Sequence, residues 1–370
     1  MPDIHPDTPR VAGQDAAPRA ELIEAVLRPV EAGRLVALPS ETAYLIATRA
    51  DSPAALARLG AAAQSALATG SESEAPALLV RGPAALAGGF PLAGLARRLA
   101  ARYWPGPLVL ELEGLDSLAP ALAREGRLRL RSVAHRATAG LVALAPMPLA
   151  ALEAPGPGGA LLVRADDVAA AHPTGIDLIV DGGPSRLGEA SAVLGLGMGR
   201  FELCREGLLP LEQLRETAGL AIGFVCTGNT CRSPMAEGLA RAELTRRLGS
   251  KRLGDFGFRV VSAGVHAAIG ASAAGHAIDV LAARSIDLRG HRARAAIPEE
   301  IARLDRVYCL TRAHVEALVM GLPPGRAGHV VLLDPDGRDV PDPVGGSKAD
   351  YERCADALTT AIAQRADDWC

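Results

Sequence analysis

Cys226 and Arg232 stand with five residues between them in the stretch VCTGNTCRSP at 225–234. A thiol attacks as its thiolate, and a neighbouring arginine together with a helix N-terminus favours that form. Thr227, Gly228, Asn229, Thr230 and Cys231 lie between the pair and Ser233 follows it. They make a short loop whose backbone amides can converge on an anion. Arg232 can fork two oxygens of a phosphate at the same point. The chemistry on offer is attack at phosphorus through a phosphocysteine intermediate. That reaction needs an acid for the leaving group and then a base for water. Asp342 suits both tasks, because Pro341 and Pro343 stiffen the loop DVPDPVGG at 339–346 that carries it. The scheme calls for no metal and no cofactor.

Such a loop has to be held between a strand and a helix. The apolar run 220–225 predicts a buried parallel strand, and 235–248 has helical periodicity with Pro234 near its first turn. Strand and helix signals alternate onward through 258–261, 271–283, 297–304, 306–310, 313–320, 330–333 and 347–365. This order predicts an α/β fold, a doubly wound four-stranded parallel sheet with helices on both faces. Ligands in such folds sit at the carboxyl ends of the strands, where the Cys226 loop falls.

Earlier in the chain, residues 1–18 are polar and rich in Pro and Asp and read as a flexible tail. Helices are expected over 20–31, 53–68 and 95–102, and strands over 34–38, 77–80, 108–112, 128–131 and 176–180. Around 209–217 the chain crosses between domains without a long linker. The expected division is a tail at 1–18, one domain at 19–216 and a second at 217–370.

Composition bounds the rest. The 370 residues are 49% hydrophobic with a net charge of −3 and only 3% aromatic, which describes a globular protein with an aliphatic core. Without a basic surplus, nucleic acid is not an expected partner. No apolar run approaches a membrane span, and the first twenty residues lack the apolar centre of a signal peptide, so a cytoplasmic location is expected. The cysteines at 204, 226, 231, 309, 354 and 370 fit neither a disulfide framework nor a zinc site.

Residues 220–370 resemble the low-molecular-weight protein-tyrosine-phosphatase family. The loop at 226–233, SAG at 262–264, HRAR at 291–294, the strand end at 307–311 and Asp342-Pro343 occur in the family's order. The resemblance implies Cys226 as nucleophile, Arg232 as clamp on phosphate and transition state, and Asp342 as general acid. It also implies that Asn229 is strained and held by a network with Ser233, Ser262 and His291. Asparagine tolerates left-handed backbone angles, which gives that role a physical basis. His291 taken alone reads equally as a surface histidine, and Cys231 either shields Cys226 in a disulfide or simply packs.

The string VCTGNTCRSPMAE resembles the protein-arginine-phosphatase branch, in which a threonine at the position of Thr230 favours phosphoarginine. Val344 stands where that branch has an aromatic, and without an aromatic wall a phosphotyrosine ring loses a stacking partner. The expected partner is therefore a phosphorylated protein substrate, phosphoarginine ahead of phosphotyrosine, with Thr230 and Val344 setting the choice. Arsenate reduction is an alternative, but its relay needs two more cysteines and only Cys309 lies in the corresponding region.

Residues 19–215 resemble the YrdC-like threonylcarbamoyl-AMP synthase domain, which implies an α/β fold with a mixed twisted sheet. The match rests on PSETAY at 39–44, WPGP at 104–107, DGGP at 181–184, and Arg205 with Gly207. Leu45 stands where the family has glycine. The family's Lys-x-Arg element falls on AAAQSALA at 61–68, its Ser-x-Asn on Leu152, Glu153 and Ala154, and its Ser-Thr pair on Ser191 and Ala192. A triphosphate needs cations, so this half is expected to have lost synthase activity. Arg131, at the family's RxP position, reads either as a residual anion-binding group or as one half of an ordinary ion pair. The alternatives for this half are retained synthase activity or nucleotide or RNA binding.

Overall fold

The computed structural model describes residues 8–13, 18–67, 74–86, 92–323, 325 and 327–370. The chain divides into two units between Leu214 and Arg215. In the first, ten strands form one sheet: β1 (Arg10–Ala12), β2 (Val36–Leu38), β3 (Leu45–Arg49), β4 (Ala77–Leu79), β5 (Leu108–Glu113), β6 (Arg127–Arg131), β7 (Leu149–Glu153), β8 (Leu178–Asp181), β9 (Ala192–Gly197) and β10 (Arg200–Arg205). Their order is β1-β8-β2-β3-β7-β4-β6-β5-β9-β10. Pairs such as β1–β8 and β5–β9 are parallel while β3–β7 and β5–β6 are antiparallel, so the sheet is mixed.

Alternate residues of these strands face opposite layers. Val36, Leu38 and Leu45 pack against Val26, Leu27 and Val30 of α1 (Ala20–Glu31). On the other face, Leu35, Ala37 and Ile46 meet Leu59, Ala62 and Ala63 of α2 (Pro53–Ser65), whose start is fixed by the Ser52 cap and Pro53. Helices α3 (Ala93–Tyr103), α4 (Arg136–Leu144) and α5 (Ala165–Ala171) complete this unit.

The tail expected over 1–18 is corrected in part. Arg10–Ala12 is a strand paired with β8, because an extended segment there can satisfy an otherwise open sheet edge. Residues 1–7 and 14–17, and Ala68 at the end of the expected second helix, lie outside the described residues. The strands β3, β7, β9 and β10 were not expected. Sequences such as LIATR and LAALE carry alanine where strands usually carry β-branched or aromatic residues, so packing rather than propensity decides them.

Residues 209–217, expected as a simple crossing, belong largely to α6 (Leu211–Ala218), inside which the division between units falls. The second unit holds β11 (Ala221–Cys226), α7 (Arg232–Leu248), β12 (Arg259–Gly264), α8 (Gly275–Ala282), α9 (Pro298–Ile301), β13 (Arg306–Cys309), α10 (Arg312–Gly321), β14 (Val330–Leu332) and α11 (Lys348–Trp369). The sheet is parallel throughout, in the order β12-β11-β13-β14.

The expected doubly wound arrangement is present. Phe224 and Tyr308 point to one face, against Trp369 of α11, while Val225, Val307 and Cys309 point to the other, against Leu318 of α10 and Ile301 of α9. A strand buried on both faces has to be an apolar run, as AIGFVC is. Helix α7 ends on Gly249 in the left-handed region, and α11 opens with a Ser347–Asp350 capping box. Among the described residues no helix is long and apolar enough to cross a membrane.

Candidate active site

Cys226 ends β11 between β12 and β13, the point where the strand order reverses. Residues 227–231 form the loop, and α7 begins at Arg232, earlier than the periodicity alone predicts. The loop's carbonyls are bonded outward. Those of Cys226 and Thr227 accept the amides of Val265 and His266, and that of Thr230 accepts the amide of Ala274. The Asn229 carbonyl accepts from His291 Nε2 at 2.7 Å. With these acceptors committed, the loop amides other than that of Asn229, which donates to Cys226 Sγ, can serve an oxyanion beside the N-terminus of a 17-residue helix.

Asn229 pins this shape. It is fully buried and its φ is 54°, in the left-handed region. Its Nδ2 donates to Ser233 Oγ and Ser262 Oγ, both at 2.9 Å, and its Oδ1 accepts the Arg294 amide at 2.9 Å. Ser262 donates in turn to Glu237 Oε2 at 2.7 Å. Gly264 is obligatory here, since a Cβ would lie 2.5 Å from the Thr227 carbonyl oxygen.

The buried Cys226 Sγ lies 2.9 Å from Ser233 Oγ and accepts the Asn229 amide at 3.3 Å. Arg232, only 5% exposed, donates to the Val340 carbonyl at 3.3 Å and to Asp342 Oδ2 at 2.5 Å. Asp342 also accepts the Val344 amide at 3.2 Å, which closes a turn around Pro343. Cys231 is a free thiol, as is Cys226, and lies 3.2 Å from the Tyr351 hydroxyl. Thr230 is half-buried, and its Oγ1 is 3.7 Å from Cys231 Sγ; Val344 is exposed.

The structure thus brings together Cys226, Thr227, Gly228, Asn229, Thr230, Cys231, Arg232, Ser233, Ser262, His291 and Asp342. His291 binds the loop rather than lying free on the surface. Sequence reasoning passed over Glu237, Tyr351 and His314. Glu237 is four residues after Ser233, one turn along the same helix face, which is a legible spacing. His314 follows Thr311 by three at the start of a helix after a sheet strand, a position that faces the carboxyl end of the sheet. Its Nε2 is 2.9 Å from Thr227 Oγ1.

The first unit presents a different centre. Arg131 is buried, bonded to Glu153 at 3.1 Å, Glu41 at 3.3 Å and Thr42 at 2.7 Å. Arg205 reaches the other Glu153 oxygen at 2.8 Å, and Ser191 donates to Glu153 at 2.8 Å. Burial alone would raise Glu153, but Arg131 and Arg205 outweigh it and hold the carboxyl below its ordinary range. Arg131 is therefore an ion-paired residue, though a buried one and not at the surface. The matched motifs also brace the fold, since Tyr44 donates to the Gly183 carbonyl at 2.8 Å and Trp104 Nε1 to the Leu108 carbonyl at 2.7 Å.

Comparison with known proteins follows the same division. The family described as low molecular weight phosphotyrosine protein phosphatase matches residues 221–368, and the Sua5–YciO–YrdC family, described as "Telomere recombination", matches 29–207. A protein-arginine-phosphatase of Geobacillus stearothermophilus is 37% identical over 148 residues, 39% of this chain and 92% of that protein. The low molecular weight protein-tyrosine-phosphatase Etp of Escherichia coli K12 is 32% identical over 143 residues, 38% of this chain and 88% of that protein. A threonylcarbamoyl-AMP synthase of Pyrococcus abyssi is 31% identical over 199 residues, 51% of this chain but 55% of that protein.

Proposed function

Through residues 221–368 the chain belongs to the low molecular weight phosphotyrosine protein phosphatase family, and from this we propose that it hydrolyses phosphorylated protein side chains at Cys226, phosphoarginine in preference to phosphotyrosine. The observation that carries the catalytic reading is the loop itself, with carbonyls bonded outward around a buried Cys226 and Arg232 paired to Asp342.

A phosphate entering the loop takes amide donors and the Arg232 fork, which frees Asp342. Cys226 Sγ attacks phosphorus as a P–S bond forms and the bond to the leaving nitrogen or oxygen breaks. Asp342 gives that atom its proton. Water then attacks the phosphocysteine, Asp342 takes a proton from it, and inorganic phosphate leaves with the thiolate restored. Ser233 Oγ, 2.9 Å from Sγ, supports the thiolate as it departs. Arg232 meets the charge that builds on the equatorial oxygens.

Two features support phosphoarginine. Thr230 offers a hydroxyl where a tyrosine substrate would favour an apolar wall, and Val344 offers no ring for stacking. Initial rates on matched phosphoarginine and phosphotyrosine peptides test the choice, with kcat/KM higher on phosphoarginine. Thr230→Ile is expected to narrow or reverse that ratio. An unchanged ratio removes the argument from Thr230, and no turnover on either peptide removes the catalytic reading.

Arsenate reduction draws less support. Cys309 is fully buried in β13, and burial pushes its thiol up to about 12, which suits packing and not disulfide relay. For the first unit, the reading is a YrdC-like domain without synthase activity. Glu153 occupies the cations that a nucleotide phosphate would need, so ATP would have to displace a buried carboxylate first. Threonine, bicarbonate and ATP are expected to yield no threonylcarbamoyl-AMP, and detectable product would overturn this.

A further inference from the structure

His314 lies outside every motif behind the catalytic reading, yet both of its ring nitrogens are committed at the edge of the phosphate loop. Nε2 is 2.9 Å from Thr227 Oγ1, and Nδ1 is 2.9 Å from Thr311 Oγ1. The ring is 5% exposed. Thr227 Oγ1 is also 3.5 Å from Arg232 Nη2, a group that can only donate. The Thr227 oxygen therefore turns one lone pair to the guanidinium, and its proton and second lone pair are both able to meet His314. In the tautomer that the proposal below uses, Nε2 is the acceptor. The neutral ring then carries its proton on Nδ1 and donates it to Thr311, the residue that caps α10.

The charges facing the ring are Arg232 on α7 and Asp339 and Asp342 on the loop after β14. Burial, and after it the Arg232 charge, hold His314 down at about 4, so the neutral ring, with one nitrogen able to accept, persists at neutral pH. A protonated ring would present Nε2–H to Thr227 and set a second positive charge beside Arg232.

We propose that His314 is a positioning residue for phosphate recognition. It orients the Thr227 hydroxyl so that oxygen, and not a proton, meets Arg232, keeping the guanidinium fork aimed into the loop when Asp342 lets go. This rests on the phosphatase reading, in which Arg232 receives the substrate phosphate. It adds a third support for the guanidinium to the Val340 carbonyl and Asp342. Unlike the Val340 carbonyl, this support passes through a group that titrates, and unlike Asp342 it stays in place when the substrate binds.

The test is isothermal titration with inorganic phosphate on the full chain, which needs no turnover, beside p-nitrophenyl phosphate kinetics. His314→Ala and Thr227→Val are each expected to weaken phosphate about tenfold, the scale of one hydrogen bond to a charged group. Because both act through one hydroxyl, the double variant should be no weaker than either single. His314→Gln, which still offers Thr227 an oxygen acceptor, should recover most of the loss. Unchanged affinity in both singles, or an additive loss of about a hundredfold in the double, overturns the proposal. Thr227→Val sits at an exposed position and carries the test if His314→Ala fails to fold. Wild-type protein that binds phosphate but turns over no ester would count against the catalytic reading alone.

Discussion

Arg232 and Asp342 close on each other across the mouth of the phosphate loop, Nη2 to Oδ2 at 2.5 Å. In the proposed mechanism the carboxylate takes the place of the substrate anion. Asp342→Asn removes both this internal competitor and the proton donor. Inorganic phosphate should bind more tightly while kcat/KM on phenyl phosphate, which reports the leaving-group step and not the later hydrolysis of the phosphocysteine, falls by about a hundredfold or more, within the range for general acid catalysis. The loss on p-nitrophenyl phosphate should be much smaller, because that leaving group departs without a proton. Equal losses on the two esters would remove Asp342 from the acid role.

Asn229 combines backbone strain with side-chain bonding, and two substitutions separate them. Asn229→Gly keeps the left-handed turn and loses the contacts to Ser233, Ser262 and Arg294. Asn229→Ala loses the contacts and adds about 1–2 kcal/mol of backbone cost. Both should lose most activity, with alanine melting several degrees below glycine. Equal melting temperatures would show that the positive φ costs this loop nothing.

Stability should fall on acidification in a window set by two histidines. His314 is held down at about 4 by burial and then by Arg232, and His172 is lowered chiefly by burial. A base with a depressed folded pKa binds more protons when unfolded, so stability rises with pH between the two values. The His314 contribution is complete above the ordinary histidine value of about 6.5 and is lost as pH falls toward 4. Denaturant unfolding of wild type and His314→Gln between pH 7 and pH 4 reads this out. The variant should show a shallower decline, and parallel curves would refute the assignment.

Glu153 predicts a stability effect in the first unit. Glu153→Ala leaves Arg131 buried opposite Glu41 alone and takes one partner from Arg205. Breaking a buried pair from one side costs about 3–5 kcal/mol. Denaturant titration of the full chain should show the first unit unfolding at lower denaturant and the second unit unmoved. Two unmoved transitions would mean that Glu153 is not a structural counter-ion.

What the sequence disclosed follows from how local each signal is. The Cys226 loop, its flanking strand and helix, and the Asp342 turn are short contiguous patterns, and the strand and helix lie within three residues of the expected bounds. The alternation behind the parallel sheet is local in the same sense. Tyr351 was not legible, and His314 only by its place at the start of α10, because both reach the loop from helices whose packing sets that reach. In the first unit β3 and β7 were missed for a related reason, since alanine-rich strands gain their stability from layers on both faces. Arg131 was assigned without its burial, and burial changes a surface pair into a counter-ion centre.

The pairing of β1 with β8 bears on the order in which the chain can mature during synthesis. Arg10 sits opposite Ile179, so almost the whole first unit must leave the ribosome before its first strand finds a partner. Until then the edge of β2 that β8 will cover stays open, a surface that other chains can join. The phosphatase sheet starts only at Ala221, and all its strands arrive within the stretch that ends at Leu332. Vectorial synthesis therefore presents the slow, long-range sheet first and the self-contained catalytic one second.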